Sequence, residues 1–159
     1  MEEWQKTGRL SWLSDLAEIP GKYGVTNVYG DLGAIFAWTV IAQPRLAAAM
    51  MGTLIKGLGS DRVLWGTDSV WTGSPQWQIE AMRRLEIPED MQRQNGFSPL
   101  GAADGPVKKA IFADNGLRVF GYAKRADLAR PDRFTIMKAE YNKNGPSPSN
   151  LRYGYVRRS

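Results

Sequence analysis

The chain contains no histidine and no cysteine. Without thiolates there are no disulfides and no Cys-based metal sites. Without imidazoles there is no Ser-His-Asp or Cys-His nucleophile and no histidine ligand. Carboxylates, hydroxyls, lysine, tyrosine and amides are the groups left for chemistry. No apolar run approaches the roughly 20 residues that a membrane-spanning helix needs. The acidic start Met1-Glu2-Glu3 is unlike a signal peptide. A soluble, cytoplasmic protein with no membrane partner is expected.

What is present suits a single core. The 159 residues are 43% hydrophobic and 23% charged, enough for one ordinary domain and too few for two. The net charge of +5 is unevenly placed: residues 122–159 carry +6 and the first 121 carry −1. That basic end includes Asn144-Gly145-Pro146-Ser147-Pro148-Ser149-Asn150, a stretch of chain breakers with nothing apolar to bury. The expected organisation is a partial (β/α) domain over 1–121 followed by an irregular, loosely ordered basic tail over 122–159.

The apolar periodicity alternates between helix and strand. Trp12, Leu13, Leu16 and Ala17 recur at helical spacing, with Pro20-Gly21 as the stop. The run Val25 to Leu32 is β-branched and aromatic and predicts a strand. Pro44 opens a helix with Ala47, Met50, Met51, Leu54, Ile55 and Leu58 on one face, closed by Gly57 and Gly59. Its methionines are core filler. Arg62 to Gly66 lacks polar alternation, as a strand covered on both faces does. Two parallel strands joined by a crossover helix result. Ser74-Pro75 then opens a helix with Ile79, Met82 and Leu85 inward, and Pro88 a short one through Met91. Pro106 opens the last, with Val107, Ala110 and Ile111 as its stripe and Asn115-Gly116 as its end.

These elements carry a family resemblance. Gly59-Ser60-Asp61-Arg62-Val63-Leu64-Trp65-Gly66-Thr67-Asp68 resembles the eighth strand of the metal-dependent amidohydrolases of the decarboxylase-like branch, in which Gly-[Ser/Thr]-Asp closes a (β/α)8 barrel. Asn27 to Gly33 resembles the seventh strand, and Ser74 to Ile79 the start of the eighth helix. Lys109 to Gly121, with its Asn-x-x-Arg-x-x-Gly ending, resembles the closing helix. The resemblance spans about residues 10–121.

It implies an α/β fold class, a C-terminal fragment of a (β/α)8 barrel with two parallel strands and packed helices. It also implies that Asp68 is the strand-eight aspartate, which binds a divalent metal, most often zinc, or takes a proton from metal-bound water. Gly66 and Thr67 would shape the strand end beneath a small carboxylated or amide-bearing substrate. The family's other ligands are histidines from earlier strands, and a whole barrel needs around 250 residues. The chain is therefore expected to be the back end of a hydrolase or decarboxylase, inactive and without metal on its own. A missing N-terminal barrel half, or self-association, would complete it.

Three further residues belong to the candidate pocket. Asp31 ends the neighbouring strand, and with strands about 4.8 Å apart it and Asp68 are placed to share a proton or a hard cation. Thr67 precedes the carboxylate in the chain, and Trp65 and Trp71 flank it. An aspartate in such a turn also serves as a helix cap, bonding nearby amides. Of the six tryptophans most suit a core, but Trp71 follows the strand's C-terminal end. The alternative class is a nucleic-acid-binding accessory protein, its tail Lys/Arg on phosphates and Tyr141, Tyr153 and Tyr155 on bases. No known binding motif favours it. A third is a structural fragment that completes a partner's sheet.

Overall fold

The computed structural model describes residues 2–122 and 133–144, and the chain divides into two compact units, 1–122 and 123–159. In the first unit the order is α1 (Glu2–Thr7), α2 (Ser11–Tyr23), β1 (Gly30–Leu32), α3 (Ala34–Ala42), α4 (Pro44–Leu58), a 3-10 turn (Ser60–Arg62) and β2 (Val63–Trp65). There follow α5 (Ser69–Thr72), α6 (Pro75–Arg84), α7 (Glu89–Asn95), α8 (Pro106–Lys109), a π turn (Ala110–Asp114) and α9 (Asn115–Val119). The second unit holds α10 (Arg133–Lys143). Part of the expected irregular tail is thus helical. Tyr153, Tyr155, Arg152, Arg157 and Arg158 lie outside the described residues. Among those described, no helix is long and apolar enough to cross a membrane.

The two strands are parallel, with Gly30, Asp31 and Leu32 opposite Val63, Leu64 and Trp65. Both are shorter than expected: residues 25–29 form no strand, Arg62 belongs to a 3-10 turn, and Gly66 lies beyond β2. Helices cover one face. Leu32 and Val63 are buried there, Gly30 lies against Leu54 and Leu58 of α4, and Trp65 packs on Phe36 and Phe112. On the other face Asp31 is exposed and its partner Leu64 only half-buried, so the expected cover on both faces is absent. The period-two alternation of a strand accounts for this split.

The helix facing the sheet is α4, with Ala47, Met50, Met51, Leu54 and Leu58 in the core as its periodicity predicts. Gly57 is not its terminator. It lies inside the last turn, where a side chain would collide with the backbone oxygen of Ala17 in α2, and Gly59 caps the helix. Nor does Pro20 stop α2, which continues to a left-handed Gly24 whose N–H bonds Pro20 O. Burial of Leu13 and Ala17 against α4 outweighs the one backbone bond that proline removes, while Trp12 is exposed.

Further along, α6 buries Met82, with Leu85 after it, but turns Ile79 outward and Gln78 inward. The short helix after Pro88 runs past Met91 to Asn95. The closing helix runs through Asn115-Gly116, because a π turn rotates Asn115 into the core. Its Nδ2 donates to Ser60 O and Val63 O, both at 2.8 Å, and Arg118 bonds Asp61 O. The Asn-x-x-Arg motif therefore clamps the entry to β2.

Candidate functional site

Two carboxylates come together where the parallel strands end. Asp31 projects from β1 on the open face of the sheet, and Asp68 follows β2 by three residues. Each sits over a glycine of the other strand's exit. A Cβ on Gly66 would lie 2.7 Å from Asp31 Oδ1, and one on Gly33 would lie 2.6 Å from Asp68 Oδ2. Any larger residue at either position would push a carboxylate away. At Gly66 a Cβ would also meet Leu32 O at 2.3 Å, and Gly33 was legible only as part of the strand-seven run.

Asp68 is held by its own backbone and by a neighbouring helix. Its φ of 47° is the one positive value at a non-glycine among the described residues. Aspartate tolerates this left-handed conformation better than most residues. It occupies the N-cap position of α5 without capping it. Its Oδ2 instead accepts the N–H of Ala34, at 2.8 Å, at the first turn of α3. A carboxylate there meets an orphan amide and the positive end of the helix dipole. Oδ1 takes no hydrogen bond among the described groups.

A polar network supports the loop from behind. Thr67 Oγ1 accepts from Ser69 N–H at 3.3 Å, and Thr72 Oγ1 bonds Thr67 O at 2.9 Å and Asp68 O at 3.1 Å. Gln78, fully buried on α6, donates from Nε2 to Thr72 Oγ1 at 2.7 Å. Its Oε1 has no partner among the described groups, an expense that buried polar groups rarely carry. Sequence periodicity had put Ile79 inward, so Gln78 was missed. A polar residue at an inward helical position was the available signal. Thr67 thus shapes the turn through its main chain and hydroxyl, and Trp71 stands exposed on α5 one turn beyond Asp68.

The electrostatics couple the pair. Partial desolvation at the strand exit, and secondarily the charge of Asp68, raise the pKa of Asp31 above the ordinary aspartate value. The folded state therefore binds this proton more tightly than the unfolded chain. Its stabilising effect is complete below the unfolded pKa of about 3.9 and is lost as pH rises through the folded value. Asp31→Asn should accordingly raise the melting temperature at pH 7 and leave it unchanged near pH 3. Thermal melts at both pH values check this, and an equal rise at both would break the assignment.

No family model, curated protein or solved structure matches the chain. Its own donors also fall short of a metal site. Among the described residues no three His, Cys, Asp or Glu side chains cluster, and one oxygen of Asp68 is committed to Ala34. Two carboxylates do not fit zinc, which takes three or four protein ligands. They suit the holding and passing of a proton.

A cleft of about 950 Å³ lies elsewhere, lined by Lys22, Lys56, Gly57, Asn95 and Phe97 among others. It borders the C-terminal turns of α2 and α4, the helices that lead into the strands, so it is at the end where the sheet begins. Its charged groups have partners: Lys56 Nζ donates to Asn95 O at 2.7 Å, Glu18 pairs with Arg9, and Lys22 Nζ lies 5.3 Å from the centre of the Tyr23 ring. Among the described residues the one fully buried charge, Lys108, bonds Arg83 O and Glu86, both at 2.9 Å, where α6 ends. It closes that helix and takes no part in the carboxylate site.

Proposed function

We propose that this chain serves as the C-terminal part of a metal-dependent hydrolase or decarboxylase of the amidohydrolase type. In it Asp68 is the catalytic carboxylate and Asp31 and Thr67 border a small carboxylated or amide-bearing substrate. The observation that carries this is the convergence of Asp31 and Asp68 at the exit of two parallel strands, on the sheet face where Asp31 is exposed among the described residues. Sites in parallel α/β architectures form at that end of the strands.

The geometry supports these roles. With Oδ2 anchored on Ala34, Asp68 presents Oδ1 at a fixed place to take or hold a proton. Asp31, whose proton affinity is raised by partial burial and by the charge of Asp68, borders the same site. In the amidohydrolase type the remaining metal ligands are histidines, and these would belong to another polypeptide segment bearing the first six strand-helix units.

The test is reconstitution. Co-expression with such a histidine-bearing portion of an amidohydrolase barrel should yield a complex whose hydrolytic or decarboxylating activity disappears with a chelator and returns with zinc. Failure to form a complex, or activity indifferent to chelation, would sink the proposal.

A further inference from the structure

Helix α3, Ala-Ile-Phe-Ala-Trp-Thr-Val-Ile-Ala, carries no charged residue, and its hydrophobicity extends around the whole helix. Helices of that kind are normally buried on all sides. Here Phe36, Ala37 and Val40 face the core, while Ile35, Trp38 and Ile41 are 48, 59 and 58% exposed. The three lie at i, i+3 and i+6, a single ridge along the helix. Helix α5, which packs beside α3, adds Val70 and Trp71, 87 and 80% exposed, and is also without charge.

We infer that this apolar face joins two copies of the chain, with α3 packed antiparallel on α3 of its partner about a two-fold axis. The area suffices. Taking roughly 250 Å² for a whole tryptophan and roughly 100 Å² for an aliphatic side chain, the five residues expose about 550 Å² per copy. The pair would bury about 1,100 Å², above the roughly 1,000 Å² that a specific interface requires.

The charges favour this arrangement too. The acidic groups of the site stand at the N-terminal end of α3. Antiparallel packing sets each such end beside the partner's C-terminal end, so the two N-terminal ends lie about 13 Å apart along the axis, for nine residues at 1.5 Å rise. The two acidic pairs stay apart and the helix dipoles oppose favourably. A two-fold contact also repeats the same self-complementary ridge on both sides, as isologous interfaces do. The open sheet face bearing Asp31 takes no part and stays free.

Sedimentation velocity on the whole chain provides the test. The wild type should sediment as a dimer at about 100 µM. Trp38→Glu should weaken dimerisation at least a hundredfold with an unchanged far-UV circular dichroism spectrum, and Val70→Lys should weaken it less. Tyr23→Glu, an exposed aromatic on α2 away from this face, should leave the dimer intact. A monomeric wild type at that concentration would overturn the inference, as would a dimer that Trp38→Glu and Ile41→Glu both leave unaltered.

Discussion

Replacing Gly57 by valine should unfold much of the first unit's stability. A Cβ at this position would lie 2.6 Å from the Ala17 Cβ and still closer to the Ala17 backbone oxygen. A flexible side chain could swing aside, but a main-chain oxygen moves only with its helix. The α2–α4 contact would have to open, and with it the burial of Leu13, Ala17 and Leu54. Overpacking of this kind costs about 1–3 kcal/mol and more when backbone must shift. We expect about 3 kcal/mol or more, a fall in melting temperature on the order of 10 °C. Gly116→Ala is the control. It lies in α9 with open space where its Cβ would go, so it should be neutral or stabilising by about 0.5–1 kcal/mol. Urea melts of both variants decide the matter, and a Gly57→Val protein as stable as the wild type would show that α2 and α4 do not pack this way.

Gly57 also shows where the sequence misleads. A glycine near the end of an apolar period reads as a stop, yet the helix needs it one turn earlier for close approach to α2. Asn115-Gly116 fails in the same manner, since a cap and a buried amide clamp share one sequence. Helix α3 was illegible for a different reason: its β-branched and aromatic residues carry strand propensity, and apolar residues on every side erase the helical period. By contrast the α4 face, the Ser74-Pro75 start of α6 and the parallel pairing of the two strands were readable. Each rests on a local signal that tertiary packing does not override.

The candidate site was legible in position and only partly in mechanism. The adjacency of Asp31 and Asp68 follows from strand spacing alone. Their mutual seating on Gly33 and Gly66 requires the register of the strands, which no spacing in the sequence reveals. The Asp68 bond to Ala34 crosses 34 positions of chain. It makes Asp68 a cap, as the simplest view of such a turn expects, but of α3 and not of the helix that follows it.

That double character sets the decisive measurement. If Asp68 serves only to cap α3, asparagine should replace it well, because an amide oxygen also accepts the Ala34 N–H. If its carboxylate handles a proton in catalysis, asparagine preserves the cap and abolishes the chemistry. In the complex reconstituted with a histidine-bearing barrel portion, Asp68→Asn should lower kcat at least about a hundredfold, the scale of losing a positioned general base. Assembly and melting temperature should stay close to wild type, and Asp31→Asn should lower kcat less. An Asp68→Asn complex that assembles normally and keeps nearly full activity would contradict the account, leaving Asp68 as a helix cap alone.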